Sequence, residues 1–132
     1  MQTIKNFNFF GDEARFEHIG IAIRNINSVS NDLKKINDKI QNVNLSFINC
    51  NGLIIELVEP VDKDSPIKSY LNKKQSYYHI CFSVPNLEHS IKHAKKHNFV
   101  RISKPVPAIA FQNRKIVWLF HSDFGLVELL ER

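Results

Sequence analysis

No cysteine framework, membrane span, export leader or nucleic-acid motif is expected from this chain of 132 residues. Its two cysteines, Cys50 and Cys81, lie far apart in different apolar stretches and read as reduced thiols of a cytoplasmic protein. The longest apolar runs are strand-sized, well short of the ~18 residues a spanning helix needs, so no membrane association is expected. No basic segment followed by an apolar one opens the chain, and no export leader is expected. The formal net charge of +5 comes from lysines spread along the chain, within a composition rich in Lys, Asn and Ile. Without a recognition motif, that charge does not point to nucleic acid. It is compatible with an anionic small substrate.

What is present is a soluble, globular composition, 43% hydrophobic and 23% charged, in a chain long enough to bury a core. The chain also repeats itself. FEHIGIAIRNI (Phe16–Ile26) and YHICFSVPNL (Tyr78–Leu87) share one pattern. A His opens an alternating apolar strand, and an Asn followed by Ile or Leu closes it: His18 with Asn25 and Ile26, His79 with Asn86 and Leu87. A second pair follows, with Glu56 in IIELVEP and Glu128 in GLVELLE. The order His, Glu, His, Glu on four strands reads as a module of about 60 residues present twice, its second copy about eleven residues longer between His and Glu.

Residues 1–14 read as an N-terminal arm, module one as about 15–60, a connector as 61–75 and module two as about 76–132. Phe16–Arg24 alternates as a strand with His18, Gly20 and Ala22 on one face. Asn27 or Ser28 is predicted to cap a helix to about Ile40, with Val29, Leu33, Ile36 and Ile40 as its apolar stripe. Val43–Cys50 and Leu53–Val58 form a hairpin across Asn51-Gly52, a type I′ signal. A helical turn follows Ser65-Pro66. In module two a strand from Tyr77 carries His79, Cys81 and Ser83 on one face. A helix capped by Asn86 then runs to about Asn98 with Leu87, Ile91 and Ala94 inward. Phe99–Ser103, Ala108–Gln112, Lys115–His121 and Leu126–Glu131 are the remaining predicted strands, around an irregular segment with Pro105 and Pro107. Each half thus reads β-α-β-β-β, an α+β fold in which helices cover one face of a mixed sheet and leave the other free.

A carboxylate on a half-buried strand is costly unless it is paired or holds a metal. Two His and two Glu at equivalent positions of two modules are related by an approximate two-fold, so all four side chains can converge. Two imidazoles and two carboxylates form an N/O donor set for one divalent ion: Zn²⁺, Ni²⁺ or Co²⁺ first, with Mn²⁺, Fe²⁺ or Mg²⁺ as further candidates. With a coordination position left open, the chemistry is polarisation of a carbonyl oxygen while a carboxylate removes the adjacent proton.

The modules resemble the paired βαβββ units of the vicinal oxygen chelate superfamily of glyoxalases, bleomycin-resistance proteins and dioxygenases. The resemblance rests on HIGIAIRNI, IELVEPVDKDSPI, YHICFSVPNL and GLVELLE, and covers about Phe16 to Glu131. It is strongest to the methylmalonyl-CoA epimerase and glyoxalase I-like branch. It implies a curved mixed sheet around a metal site, with His18, Glu56, His79 and Glu128 as ligands. Glu128 is the implied base and Glu56 its partner, for proton transfer through an enediolate. The implied substrate is a CoA thioester or a thiol hemithioacetal, and the implied assembly is a homodimer. Glu at the second ligand position matches glyoxalase I. One departure stands out: epimerases of this type carry a further, non-ligand Glu in a longer segment before the second strand, whereas Asp38–Asn44 is short and has no Glu. The alternatives are a non-catalytic resistance-type binding protein, which would have lost the ligands, and an Fe²⁺ dioxygenase, which would use two His and one carboxylate.

Other features read as structural. His89, His93 and His97 form a stripe among lysines on a solvated helix face. His121-Ser122-Asp123 has the letters of a hydrolase triad, but contiguous residues of a tight turn cannot take that geometry. Cys81 is a small neighbour of His79, and Arg114 and Lys115 belong to a turn. Phe111, Trp118 and Phe120 are core residues that can also line a cavity.

Overall fold

The computed structural model describes residues 3–132. Strand β1 (Arg15–Ala22) leads into a single 3-10 turn (Ile26–Ser28) and then into β2 (Ile36–Asp38), β3 (Val43–Cys50) and β4 (Leu53–Pro60). Helix α1 (Ile67–Asn72) crosses to β5 (Tyr77–Val84), which is followed by helix α2 (Leu87–Lys95). β6 (Val100–Arg101), β7 (Val106–Ala108), β8 (Arg114–His121) and β9 (Gly125–Glu131) complete the chain. All nine strands belong to one open, curved mixed sheet in the order β2-β3-β4-β1-β5-β9-β8-β6, with β7 also paired to β8. The two modules therefore meet edge to edge along the antiparallel seam between β1 and β5.

The internal repeat survives as a repeat of registers. In module one β1 runs parallel to β4, and Gly20, two residues after His18, lies opposite Glu56. In module two β5 runs parallel to β9, and Cys81, two residues after His79, lies opposite Glu128. Asn51 (φ 52°) and Gly52 (φ 95°) both take positive φ, as the type I′ turn between β3 and β4 requires.

The second-module helix forms as predicted, though it is shorter. Asn86 Oδ1 accepts a hydrogen bond from the His89 amide, Glu88 sits in the first turn, and Lys92, His93 and Lys95 sit in the last. Its Leu87 and Ala94 are buried on the sheet face that carries Val84, Val117, Val127 and Leu129, away from His79 and Glu128. Phe10 of the N-terminal segment, 5% exposed, packs into the same cluster. Residues 3–14 contribute no strand or helix.

The predicted first-module helix over Asn27–Ile40 does not form. Its intended stripe does not face a core, since Val29 and Ile40 are 51% and 61% exposed. Local side chains take over the backbone groups a helix would use. Asn25 Oδ1 accepts from the Asn27 amide, Ser28 Oγ donates to the Asn25 carbonyl, and Ser30 Oγ accepts from the Asp32 amide. Sheet pairing then claims Ile36–Asp38 as β2, with Ile36 opposite Leu45. On the outer face of module one, Ile19, Ile21, Ile48 and Ile55 are consequently only half-buried. Two further strands differ. Phe99–Ser103 pairs only at Val100 and Arg101, and Ala108–Gln112 is replaced by β7 and a 3-10 turn (Ile109–Phe111) ended by left-handed Gln112 and Asn113. Among the described residues, no helix is long and apolar enough to cross a membrane.

A second pair of carboxylates braces the modules. Glu59, three residues after Glu56, accepts from the Ile26 amide at 2.6 Å and from Lys35 Nζ at 2.9 Å. Glu131, three residues after Glu128, accepts from the Leu87 amide at 3.1 Å. Each carboxylate thus ties the start of the turn or helix after a module's first strand to the end of its last. Glu59→Ala leaves the buried Ile26 amide unpaired, for a cost of about 1–3 kcal/mol. Urea unfolding is expected to show that loss, and wild-type stability would contradict the bracing role.

Candidate metal centre

A single backbone arrangement brings the four repeated residues together. At the β1–β5 seam Gly20 is opposite His79 and His18 is opposite Cys81, while β4 and β9 flank the seam and carry Glu56 and Glu128 on the same face. His18 Nε2 lies 3.1 Å from His79 Nε2. Glu56 Oε2 is 3.5 Å from His18 Nε2 and 3.3 Å from His79 Nε2, and Glu128 Oε2 is 3.6 Å from His79 Nε2. All four donor atoms lie within 4.8 Å of one another. The side chains are buried, with exposures of 1% for each His, 3% for Glu56 and 2% for Glu128.

Gly20 is what lets the two imidazoles approach. A Cβ at this position would clash with the His79 ring. The requirement is for space and not for an unusual φ, and it comes from the histidine of the other module. Aromatic side chains hold the rings in place. His18 stacks on Phe111 (centroids 5.6 Å apart, 14° between planes) and meets the edge of Phe47, and His79 stands edge-on to Trp118 at 4.9 Å. Both Nδ1 atoms are buried without a hydrogen-bond partner in the protein, so ring packing sets the orientation that a hydrogen bond to Nδ1 often fixes at metal sites.

The donor set suits a divalent cation. Ligand bonds of about 2.0–2.2 Å put neighbouring N and O ligands roughly 3.0–3.6 Å apart, and the observed separations of 3.1–3.6 Å match that spacing. The electrostatics agree. Burial pushes Glu56 up, but the hydrogen bonds and charges of His18 and His79 outweigh it and bring the group down to about 2. For Glu128 burial wins over the nearby His79 and, with the Glu56 charge beside it, lifts the carboxyl to about 7. Burial lowers His18, yet its hydrogen bond to Glu56 and the surrounding carboxylates raise it overall. A divalent ion would displace the protons that Glu128 and His18 hold more readily than usual here.

A narrow cleft at Glu56, His79 and Glu128 has Val43, Leu45 and Val58 among its apolar walls. Gln41, Tyr78 and Trp118 line both this cleft and an open groove of about 770 Å³ that leads away from it, a size that suits a small-molecule ligand. Residue periodicity did not single out Gln41, Tyr78 or the apolar wall as functional. Glu59 and Glu131 were legible as a repeat, ELVE and ELLE at matching offsets, though not as braces.

The other candidates lie elsewhere. His121 Nδ1 accepts from the Asp123 and Phe124 amides and so caps the last turn. The His93 and His97 rings lie 5.6 Å apart and tilted at 46°, but with His89 they build no three-donor group; among the described residues that group is His18, Glu56, His79 and Glu128. Cys81 Sγ lies 3.6 Å from Glu128 Oε1, and burial together with Glu128 raises its pKa well above the usual thiol value, so it is a protonated neighbour and no nucleophile. Arg114 donates to the Phe111 carbonyl and lies over the Phe111 ring, which ties it to the turn behind His18. Phe111 and Trp118 flank the imidazoles, whereas Phe120, expected in the core, is 45% exposed.

Comparison with known proteins points the same way. Residues 17–118 match the model of the glyoxalase/bleomycin resistance protein/dioxygenase superfamily. The chain is similar to the mitochondrial methylmalonyl-CoA epimerase of Dictyostelium discoideum, at 31% identity over 89% of this chain and 78% of that protein. The human mitochondrial enzyme of the same name is 28% identical, over 87% of this chain and 72% of that protein. Among solved structures, a Streptomyces coelicolor methylmalonyl-CoA epimerase in complex with 2-nitronate-propionyl-CoA superposes with a TM-score of 0.69 at 20% identity. That match covers 89% of this chain and 93% of the other, and it shows a shared fold.

Two outcomes test the geometry. Gly20→Ala is expected to displace the His79 ring and abolish tight Ni²⁺ or Zn²⁺ binding in calorimetry; unchanged affinity would contradict the close approach. Because ligation needs ionised Glu128 and neutral His18, both protonated more readily than usual here, metal affinity is expected to fall as pH drops through about 7. Calorimetry in buffers of different ionisation enthalpy should register proton release. Pairing no proton release with pH-independent affinity from 6 to 8 would rule this out.

Proposed function

Since the chain belongs to the glyoxalase/bleomycin resistance protein/dioxygenase superfamily, we propose that it is a metal-dependent proton-transfer enzyme acting beside the carbonyl of a CoA thioester, in the manner of an epimerase. The observation that carries this reading is the convergence of His18, Glu56, His79 and Glu128 on one buried point, with Glu56, His79 and Glu128 lining a narrow cleft. His18, Glu56, His79 and Glu128 would hold the ion, with Zn²⁺, Ni²⁺ or Co²⁺ as the first choices. Bound there, the ion supplies Lewis acidity that stabilises negative charge developing on a carbonyl oxygen.

Glu128 is the proposed base. Burial brings its proton affinity close to neutral, where a carboxylate can both take and return a proton. The Cys81 thiol donates to Glu128 Oε1, which leaves Oε2 toward His79. Glu56 comes from the other module, across the approximate two-fold, so the two carboxylates approach from opposite sides. That relation supports Glu128 as the group that removes and returns the proton, with Glu56, held ionised by His18 and His79, as its partner on the opposite side. Val43, Leu45 and Val58 exclude water and so favour charge on these few fixed groups. The names of the relatives support a CoA thioester. A thiol hemithioacetal is a second reading, favoured by Glu56 at the second ligand position.

The test is hydrogen exchange in D₂O. Metal-loaded protein is offered methylmalonyl-CoA, isobutyryl-CoA and a methylglyoxal hemithioacetal, and deuterium at carbon is read by mass spectrometry. Exchange next to a thioester carbonyl is expected, and Glu128→Gln is expected to slow it by about 10²–10⁴-fold. Undiminished exchange in Glu128→Gln would remove Glu128 from the role of base. Turnover that requires Fe²⁺ and O₂ would overturn proton transfer as the reaction.

A further inference from the structure

The seam that joins the two modules is irregular at two points. Phe16 is opposite Phe82 and His18 is opposite Cys81, so Glu17 is an extra residue in β1. Gly20 is opposite His79 and Ile21 is opposite Tyr77, so Tyr78 is an extra residue in β5. Each is a β-bulge set directly before the histidine of its module, and the same approximate two-fold relates them. A bulge interrupts the alternation of a strand and re-aims the side chains beside it. For Tyr78 the contacts show the outcome. Its ring packs in the cluster of Ala22, Val58 and Leu71. It also stands edge-on to Tyr70 and to His79, each at 4.9 Å, and lies 5.6 Å from Trp118. Tyr78 and His79, consecutive in the chain, thus face the same side of the sheet.

That placement leaves one polar atom unaccounted for. Tyr78 is 8% exposed. Among the described residues its hydroxyl has no hydrogen-bond partner, whereas the Tyr77 hydroxyl donates to the Phe124 carbonyl. A hydroxyl buried in this way is costly unless something accepts from it. Tyr78 lines the open groove of about 770 Å³ with Tyr70 and Trp118, where the groove meets the narrow cleft at Glu56, His79 and Glu128. A phenol keeps its proton at neutral pH and so is a donor. The acceptor it lacks has to come with the ligand, and at this junction the ligand atoms next to the four metal-binding residues are those of the acyl end.

Building on the thioester reading above, we infer that Tyr78, turned into the groove by its β-bulge, donates a hydrogen bond from its hydroxyl to the carbonyl oxygen of the thioester. It is then a substrate-contacting residue outside the ligand set, and a further donor for negative charge that develops on that oxygen. A ligand that keeps the CoA portion and lacks the carbonyl oxygen isolates the point.

Tyr78→Phe removes the hydroxyl and keeps the ring that packs on Tyr70, His79 and Trp118. Metal-loaded wild type and variant are titrated by calorimetry with isobutyryl-CoA and with S-isobutyl-CoA, the thioether in which a methylene replaces the carbonyl. The variant is expected to bind isobutyryl-CoA about 3–10-fold more weakly, as loss of one neutral hydrogen bond implies, and S-isobutyl-CoA within about twofold of wild type. Equal weakening of both ligands would mean that the hydroxyl only shapes the groove. Unchanged affinity for isobutyryl-CoA would mean that it does not meet the ligand. Either result overturns the inference, and α-hydrogen exchange by the wild type would still uphold the thioester reading. Wild-type protein that neither binds isobutyryl-CoA nor exchanges its α-hydrogen overturns both.

Discussion

The close approach of two backbones at Gly20 is the constraint on which the rest of the structure depends. The antiparallel seam between β1 and β5 places His79 across from a residue without a side chain, and the imidazole occupies the space a Cβ would fill. Only then do the two Nε2 atoms come within 3.1 Å. The parallel partners β4 and β9, in matching registers, bring Glu56 and Glu128 to the same point. Everything proposed for the chemistry follows from that meeting of four side chains in a place closed to water. Two carboxylates beside two imidazoles have no reason to be buried together unless protons or a cation hold them.

The two-fold repeat was legible because period-two alternation survives in both halves. His18, Gly20 and Ala22 on one face, and His79, Cys81 and Ser83 on the other module's matching face, could be read directly from the letters. The type I′ turn at Asn51-Gly52 and the cap at Asn86 were equally clear, since each depends on the chemistry of one or two residues. The predicted first-module helix does not form because its apolar spacing has no core to face. Asn25, Ser28 and Ser30 satisfied the backbone locally, and Ile36 found a strand partner in Leu45. Tertiary pairing of this kind leaves no trace in periodicity.

The cleft was the least legible part of the site. Gln41 and Tyr78 belong to it by virtue of where a turn and a seam lie, and nothing in their neighbours announces it. The lost helix leaves module one's outer isoleucines half-buried, and Asp38–Asn44, where the resemblance would place a further Glu, is short in the sequence and holds none. In its place stands a tight turn organised by Asp38, which presents an amide and no carboxylate. The site thus combines the ligand pattern of a proton-transfer enzyme with a mouth of its own.

The most direct test of the account is X-ray absorption spectroscopy at the metal edge of the Ni²⁺- or Zn²⁺-loaded protein. Two imidazole nitrogens and two carboxylate oxygens per ion are the expected ligands, with light atoms completing the shell. A sulfur ligand from Cys81, or a shell with fewer than two imidazoles, would contradict the convergence of His18, Glu56, His79 and Glu128 on one ion.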